Sequence, residues 1–93
     1  MKVIKTRLID AALRTLDEDD RRKVFSWFDH LENWENDEQV RKMVKPTVDR
    51  DTYSLNTPDD LCIFFRMDEA EREIVIVDLA KPSRFAAAGV SME

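Results

Sequence analysis

The chain has 93 residues, 43% of them apolar, with one glycine, three prolines and a formal net charge of −5. This length suits a single domain, and the apolar fraction is that of a folded protein rather than a disordered one. The negative charge argues against general binding to the phosphate backbone of nucleic acid, since such binding depends on Lys and Arg. No apolar run reaches the roughly 20 residues of a membrane span. We therefore expect a cytoplasmic protein with no membrane partner.

Cys62 is the only cysteine in the chain. A single cysteine excludes an internal disulfide and offers no metal-ligand spacing, so we expect a reducing compartment, no bound metal and no cofactor. His30 is the only histidine. Its position between Asp29 and Leu31 predicts a solvent-facing residue of a helix rather than a catalytic one.

The first half of the chain predicts a strand followed by two helices. Residues 1–8 alternate weakly and suit a short first strand. From Ile9 the spacing of the apolar residues becomes helical, which indicates a short helix up to Leu16. Asp17 is well placed to cap a second helix, because its side-chain oxygen can accept from the amides of the following turn. The second helix has a wide apolar face that ends near Trp34.

Residues 38–45 predict one or two further helical turns, which Pro46 should stop because the residue before a proline disfavours the α region. A strand is predicted for residues 48–55, followed by a polar turn over residues 56–60. Two apolar runs, residues 61–67 and 74–79, then flank a charged segment and predict a β-hairpin. In its second strand, Ile74 and Ile76 share a face that should continue to Asp78.

These elements predict an α+β domain over residues 1–93 in the order β-α-α-β-β-β. Short connections make the last three strands antiparallel, and the helical hairpin should pack on one face of a small antiparallel sheet. A chain of this length is near the lower limit for a self-sufficient core. A partner protein or a homo-oligomer that buries further area is therefore a reasonable expectation.

The order of elements, the length, the strand around Tyr53, the following stretch DDLCIFFRMDEAEREIVIVDLAK and the ending SRF resemble the RelE/ParE superfamily of bacterial type II toxins. The resemblance implies a toxin that is neutralised by a cognate antitoxin encoded as its neighbour. RelE-like members cleave mRNA on the ribosome without metal, using basic residues that promote attack of a ribose 2′-hydroxyl on the adjacent phosphate. ParE-like members instead bind DNA gyrase and need no such residues.

Four basic residues can be carried over from the ribonuclease members of the family. Lys81 and Arg84 correspond to the basic run after the last strand, and Lys45 and Arg50 correspond to the basic residues before the second strand. In a ribonuclease these cations would stabilise the negative charge that develops on the phosphate in the transition state. The resemblance thus predicts Lys45, Arg50, Lys81 and Arg84 as the catalytic residues of a metal-independent endoribonuclease.

Two positions depart from the ribonuclease pattern. Cys62 stands where those members place an arginine, and an uncharged thiol cannot replace a guanidinium. Phe85 stands where a tyrosine is often found, and it has no hydroxyl to exchange a proton. Three readings therefore remain open: a weakened ribonuclease, a gyrase inhibitor or catalytically degenerate binding protein of the same fold, and an unrelated small α+β interaction domain that dimerises through its helices.

Overall fold

The computed structural model describes residues 1–49 and 51–81, and an α+β fold is confirmed over them. In chain order the elements within these residues are β1 (Lys2–Lys5), α1 (Arg7–Thr15), α2 (Glu18–Glu32), α3 (Glu38–Met43), β2 (Val44–Pro46), β3 (Thr52–Asn56), β4 (Cys62–Asp68) and β5 (Glu73–Ala80). No helix in this part of the chain has the length and apolar character needed to cross a membrane.

Side-chain caps fix the starts of the first two helices. The hydroxyl of Thr6 accepts a hydrogen bond from the Ile9 amide, so α1 begins two residues earlier than the apolar spacing predicts. Asp17 caps α2 as predicted, since its Oδ1 accepts from the Asp20 amide at 2.8 Å. Most apolar residues of both helices face the core, where Ile9 of α1 and Val24 of α2 are almost fully buried, whereas Leu8 and Phe25 are exposed.

The segment before Pro46 differs from its prediction. The helix α3 ends at Met43, and the next three residues form the edge strand β2, so the predicted order β-α-α-β-β-β lacks one helix and one strand. Pro46 disfavours helical backbone at Lys45, and pairing with β3 satisfies the backbone of these residues instead. The strand predicted from Val48 starts only at Thr52, because the Thr47 hydroxyl bonds to backbone atoms of Asp49 and Thr52 and closes a turn.

The strands form one sheet in the order β1-β5-β4-β3-β2. The antiparallel meander predicted for the last strands is confirmed, and it extends from β2 to β5. The prediction of a wholly antiparallel sheet is wrong, because β1 lies parallel to β5. No tight turn joins β1 to its neighbour, since the helices intervene, and a connection of that length permits parallel pairing.

A β-bulge interrupts the pairing of β4 with β5. Phe64 lies opposite Asp78 and Phe65 lies opposite Ile76, which leaves Val77 as the extra residue of β5. A bulge of one residue reverses the side to which the following side chains point. Leu79 therefore packs against the core and Asp78 is exposed, so the predicted continuation of the Ile74 and Ile76 face to Asp78 is wrong.

The two faces of the sheet have different environments. One face packs against α1, α2 and α3, and its residues with no exposed surface are Leu55, Ile63, Phe65, Ile74 and Ile76. We call the opposite side the open face, because no helix among the described residues packs on it. By the strand register, it presents Ile4, Lys45, Thr52, Ser54, Phe64, Arg66, Val75 and Asp78.

Candidate functional site

Lys81, a predicted catalytic residue, lies directly after the last residue of β5. Its Nζ is 2.6 Å from Oδ2 of Asp20, in the first turn of α2, and only 8% of the Asp20 side chain is exposed. The ion pair joins the end of the last strand to a helix across 61 residues of sequence. The Lys81 ammonium is therefore held on the helix side of the sheet, against a carboxylate.

Lys45, another predicted catalytic residue, lies on the edge strand β2 and is exposed. Its register with Ser54 places it on the open face. The strands β3 and β4 separate β2 from β5, so a lateral distance of roughly 14 Å lies between Lys45 and the strand that carries Lys81. The structure thus does not bring these two cations together.

Arg50 and Arg84, the other two predicted catalytic residues, lie outside the described residues, as does Phe85. The assignment of the four basic residues to catalysis accordingly stays a prediction.

Cys62 begins β4, where it pairs with Asn56 on one side and with Ala80 on the other. Burial raises the pKa of its thiol, and the nearby Asp78 carboxylate raises it further. Both effects disfavour the thiolate, which is the form of cysteine that acts as a nucleophile. At the position where a ribonuclease member would place an arginine, this chain therefore has a buried neutral group.

A depression lies in the open face between the loop that follows β2 and the last strand. We call it the Phe64 depression, and it is lined by Thr47, Val48, Asp49, Thr52, Phe64, Val77 and Asp78. It has a volume of about 400 Å³. Phe64 is half-buried, and the charged residues of its described lining are the two aspartates. The described lining of the depression is therefore aromatic and acidic, whereas Lys45 and Arg66 lie on the same face outside it.

His30 makes contacts that the sequence does not reveal. Its Nδ1 lies 2.6 Å from Oδ2 of Asp37, and its ring packs against Trp27 with the centroids 4.9 Å apart. The Trp27 Nε1 in turn donates to Oδ2 of Asp59 at 2.9 Å. The group joins α2 to the start of α3 and to the loop before β4. Because Asp37 also caps α3 through Oδ1, these contacts suit a structural role.

The His30 hydrogen bond, with a smaller contribution from the Val40 amide, holds the pKa of Asp37 below its ordinary value of 3.8. Folding thus favours the charged form of the Asp37 carboxyl. The stabilisation that this carboxylate gives to the folded state is fully present above pH 3.8, and it is lost as the pH falls through the lower pKa of the folded state. Asp37→Asn retains a side-chain oxygen that can cap α3 but cannot be protonated in this range. We therefore expect the free energy of unfolding of this variant to fall less on acidification than that of the original protein. Urea unfolding between pH 2 and pH 6 measures this dependence.

Asp29→Asn is the matched control for this experiment, because Asp29 is an exposed carboxylate of α2, adjacent to His30 in sequence. We expect the control to follow the pH dependence of the original protein. Identical pH profiles for Asp37→Asn and Asp29→Asn would contradict the assignment of Asp37 as a stabilising carboxylate.

Within residues 1–49 and 51–81, no group of three or more His, Cys, Asp or Glu side chains is arranged to hold a metal ion. No protein-family model matches the chain, and comparison with curated proteins finds no significant match. The function is therefore inferred from the residues and their geometry.

Proposed function

We propose that this protein is a RelE/ParE-like toxin, neutralised by a cognate antitoxin, which inhibits growth by binding a protein target rather than by cleaving mRNA. DNA gyrase, the target of ParE-like members, is the first target to test. The proposal combines a fold-level resemblance, which does not determine activity, with the charges on the open face of the sheet.

The arrangement of elements supports the toxin part of the proposal. A strand is followed by a helical pair and then by an antiparallel run of strands, and the helices pack on one face of the sheet. This is the order that the resemblance implies, with α3 as an addition after the helical pair and β2 as an extra first strand of the meander. The first strand adds to the sheet beside the last one.

The observation that carries the binding mechanism is the placement of charge around the sheet. Cleavage of RNA requires cations that converge on one phosphate. Lys81 is instead paired with Asp20 on the helix side, while Asp49 and Asp78 border the centre of the open face. Carboxylates at that position repel phosphate. Two cations of the open face, Lys45 and Arg66, lie on different strands and outside the depression. Binding to a protein target does not require cations that converge on one phosphate.

Expression in a bacterial host tests this proposal. We expect the chain to inhibit growth when expressed alone, and growth to recover when the neighbouring gene is co-expressed. Primer extension on cellular mRNA should show no new cleavage sites, and purified protein should inhibit DNA supercoiling by gyrase. Normal growth under strong expression of the folded protein would overturn the toxin assignment.

The second candidate is a ribosome-dependent endoribonuclease that uses Lys45, Arg50, Lys81 and Arg84. The exposed position of Lys45 on the open face favours it. Lys45→Ala is its sharpest test, with Lys42→Ala as the control because Lys42 is an exposed residue of α3 paired with Glu38. Cleavage of mRNA that is lost in Lys45→Ala and retained in Lys42→Ala would establish the ribonuclease and exclude the binding mechanism.

A further inference from the structure

The Phe64 depression combines three features that suit one kind of ligand. The half-buried Phe64 ring belongs to its lining, Asp49 and Asp78 supply negative charge, and Val48 is a fully exposed apolar residue of the same lining. Val48, Phe64 and Val77 together give the depression an apolar lining beside the two carboxylates. The depression lies on the side of the sheet that the described helices leave uncovered.

Both carboxylates of the depression have oxygen atoms that can accept hydrogen bonds from a ligand. One oxygen of Asp78 accepts from the Leu79 amide at 2.8 Å, which leaves the other oxygen to a ligand. The Asp49 carboxylate makes no hydrogen bond or ion pair with any residue of the described chain. A guanidinium group can stack on an aromatic ring and donate to carboxylates in its own plane. Its geometry and charge therefore complement Phe64 and the two aspartates.

We propose that the Phe64 depression is a docking site for a basic segment of a second protein, which places an arginine side chain over Phe64 between Asp49 and Asp78. The apolar stem of that arginine and its neighbouring residues contact Val48 and Val77. This inference goes beyond the proposed function, since it defines the chemistry of a binding partner and is tested without an antitoxin or a cellular target.

Two other occupants fit the surface less well. Nucleic acid would bring phosphates to a site with two carboxylates. A second copy of this chain that covered the depression symmetrically, face to face, would oppose the acidic depressions of the two copies. Extension of the sheet through β1 or β2 is the other contact between strands. Both edge strands carry lysines, and β2 is three residues long and ends in Pro46, which disfavours strand addition.

A titration followed by nuclear magnetic resonance tests the site. The probe is the peptide acetyl-Arg-Val-Arg-Val-Arg-amide, and the matched peptide carries citrulline, which is uncharged, in place of arginine. We expect saturable shifts at Val48, Phe64 and Val77 with the arginine peptide, and binding weaker by about tenfold or more with citrulline. Equal binding of the two peptides, or no saturable shift at these residues, would overturn the proposal.

Substitutions test whether Asp49 and Asp78 are the residues that bind the arginine peptide. Asp49→Asn combined with Asp78→Asn should weaken binding of the arginine peptide by about tenfold or more. Asp29→Asn combined with Glu71→Gln removes the same charge from exposed positions outside the depression and should leave binding unchanged. The spectrum of each variant shows that it is folded. If both double variants lost the same binding affinity, the effect would be due to the net charge of the protein. That result would contradict the assignment of the binding site to the Phe64 depression.

The free protein distinguishes the other occupants. We expect it to be monomeric by sedimentation, with no nuclear Overhauser contacts between Phe64 and residues 82–93. Contacts to residues 82–93 would assign the depression to the chain itself, and a dimer that protects Phe64 would assign it to a second copy. Either result would overturn the proposal of a separate basic partner.

Discussion

Replacing Phe65 with alanine is expected to lower the free energy of unfolding by about 3–5 kcal/mol. Phe65 has no exposed surface and lies on β4 in the middle of the sheet. Its ring stacks with Tyr53 at a centroid distance of 5.9 Å and meets the edge of Trp34 at 6.3 Å. The substitution removes these contacts and leaves a cavity. Because small domains are stable by only about 5–15 kcal/mol, urea unfolding should show a large shift of the midpoint.

Phe64→Ala is the matched control, since it makes the same change one residue earlier on the other face of the sheet. Phe64 is half-buried and lies on the open face, so we expect a loss of about 1 kcal/mol. Equal losses for the two variants would mean that the open face is covered as completely as the helix face. The comparison therefore tests the assignment of the two faces as well as the core.

Replacing Lys81 with methionine is expected to lower the free energy of unfolding by about 2 kcal/mol. The change keeps much of the side-chain volume but leaves the Asp20 carboxylate, with 8% of its side chain exposed, without its cation. The expected loss is smaller than for a fully buried pair because 27% of the Lys81 side chain is exposed and water can partly replace the ammonium. Chemical denaturation at pH 7 measures this loss.

Lys42→Met provides the control for the ion pair. Lys42 pairs with Glu38 at 3.7 Å, but both side chains are about three-quarters exposed, so its removal should cost less than about 0.5 kcal/mol. Adding Asp20→Asn to Lys81→Met should recover part of the loss, because the buried charge is then removed as well. Equal losses in Lys81→Met and Lys42→Met would show that Asp20 is hydrated and that the pair adds little.

The Lys81–Asp20 ion pair also affects the interpretation of growth-inhibition measurements on Lys81 variants. A variant of Lys81 that loses growth inhibition could do so by weakening the junction of β5 with α2. Stability must therefore be measured beside activity for this residue. Lys45, which is exposed and has no such partner among the described residues, is the cleaner position at which to test RNA cleavage.

Local sequence signals predicted the parts of the fold that depend on neighbouring residues. Asp17 could be identified as a cap because the cap bonds are made within one helical turn. The hairpin of β4 and β5 followed from two apolar runs on either side of a charged segment. The sequence predicts helical turns up to Lys45 and no strand β2, because the pairing of β2 with β3 depends on residues further along the chain.

Features that depend on distant contacts could not be predicted. The alternation of side chains between the two faces, read from residues 74–79, does not reveal the bulge at Val77. The sequence therefore predicts the wrong face of the sheet for Asp78. The partners of Lys81 and His30 depend on how the helices pack, and a sequence pattern does not specify that packing. The Phe64 depression likewise brings together a loop and two strands, and only the folded sheet makes them neighbours.

The parallel pairing of β1 with β5 has a consequence for folding. Val3 lies beside Ile74, so this contact closes a loop of roughly 70 residues, and such contacts form late because their entropy cost is high. During synthesis, β1 leaves the ribosome before any other strand and gains its partner only after β5 has followed. Pairing of β1 within the sheet thus requires that almost all of the described chain has been synthesised.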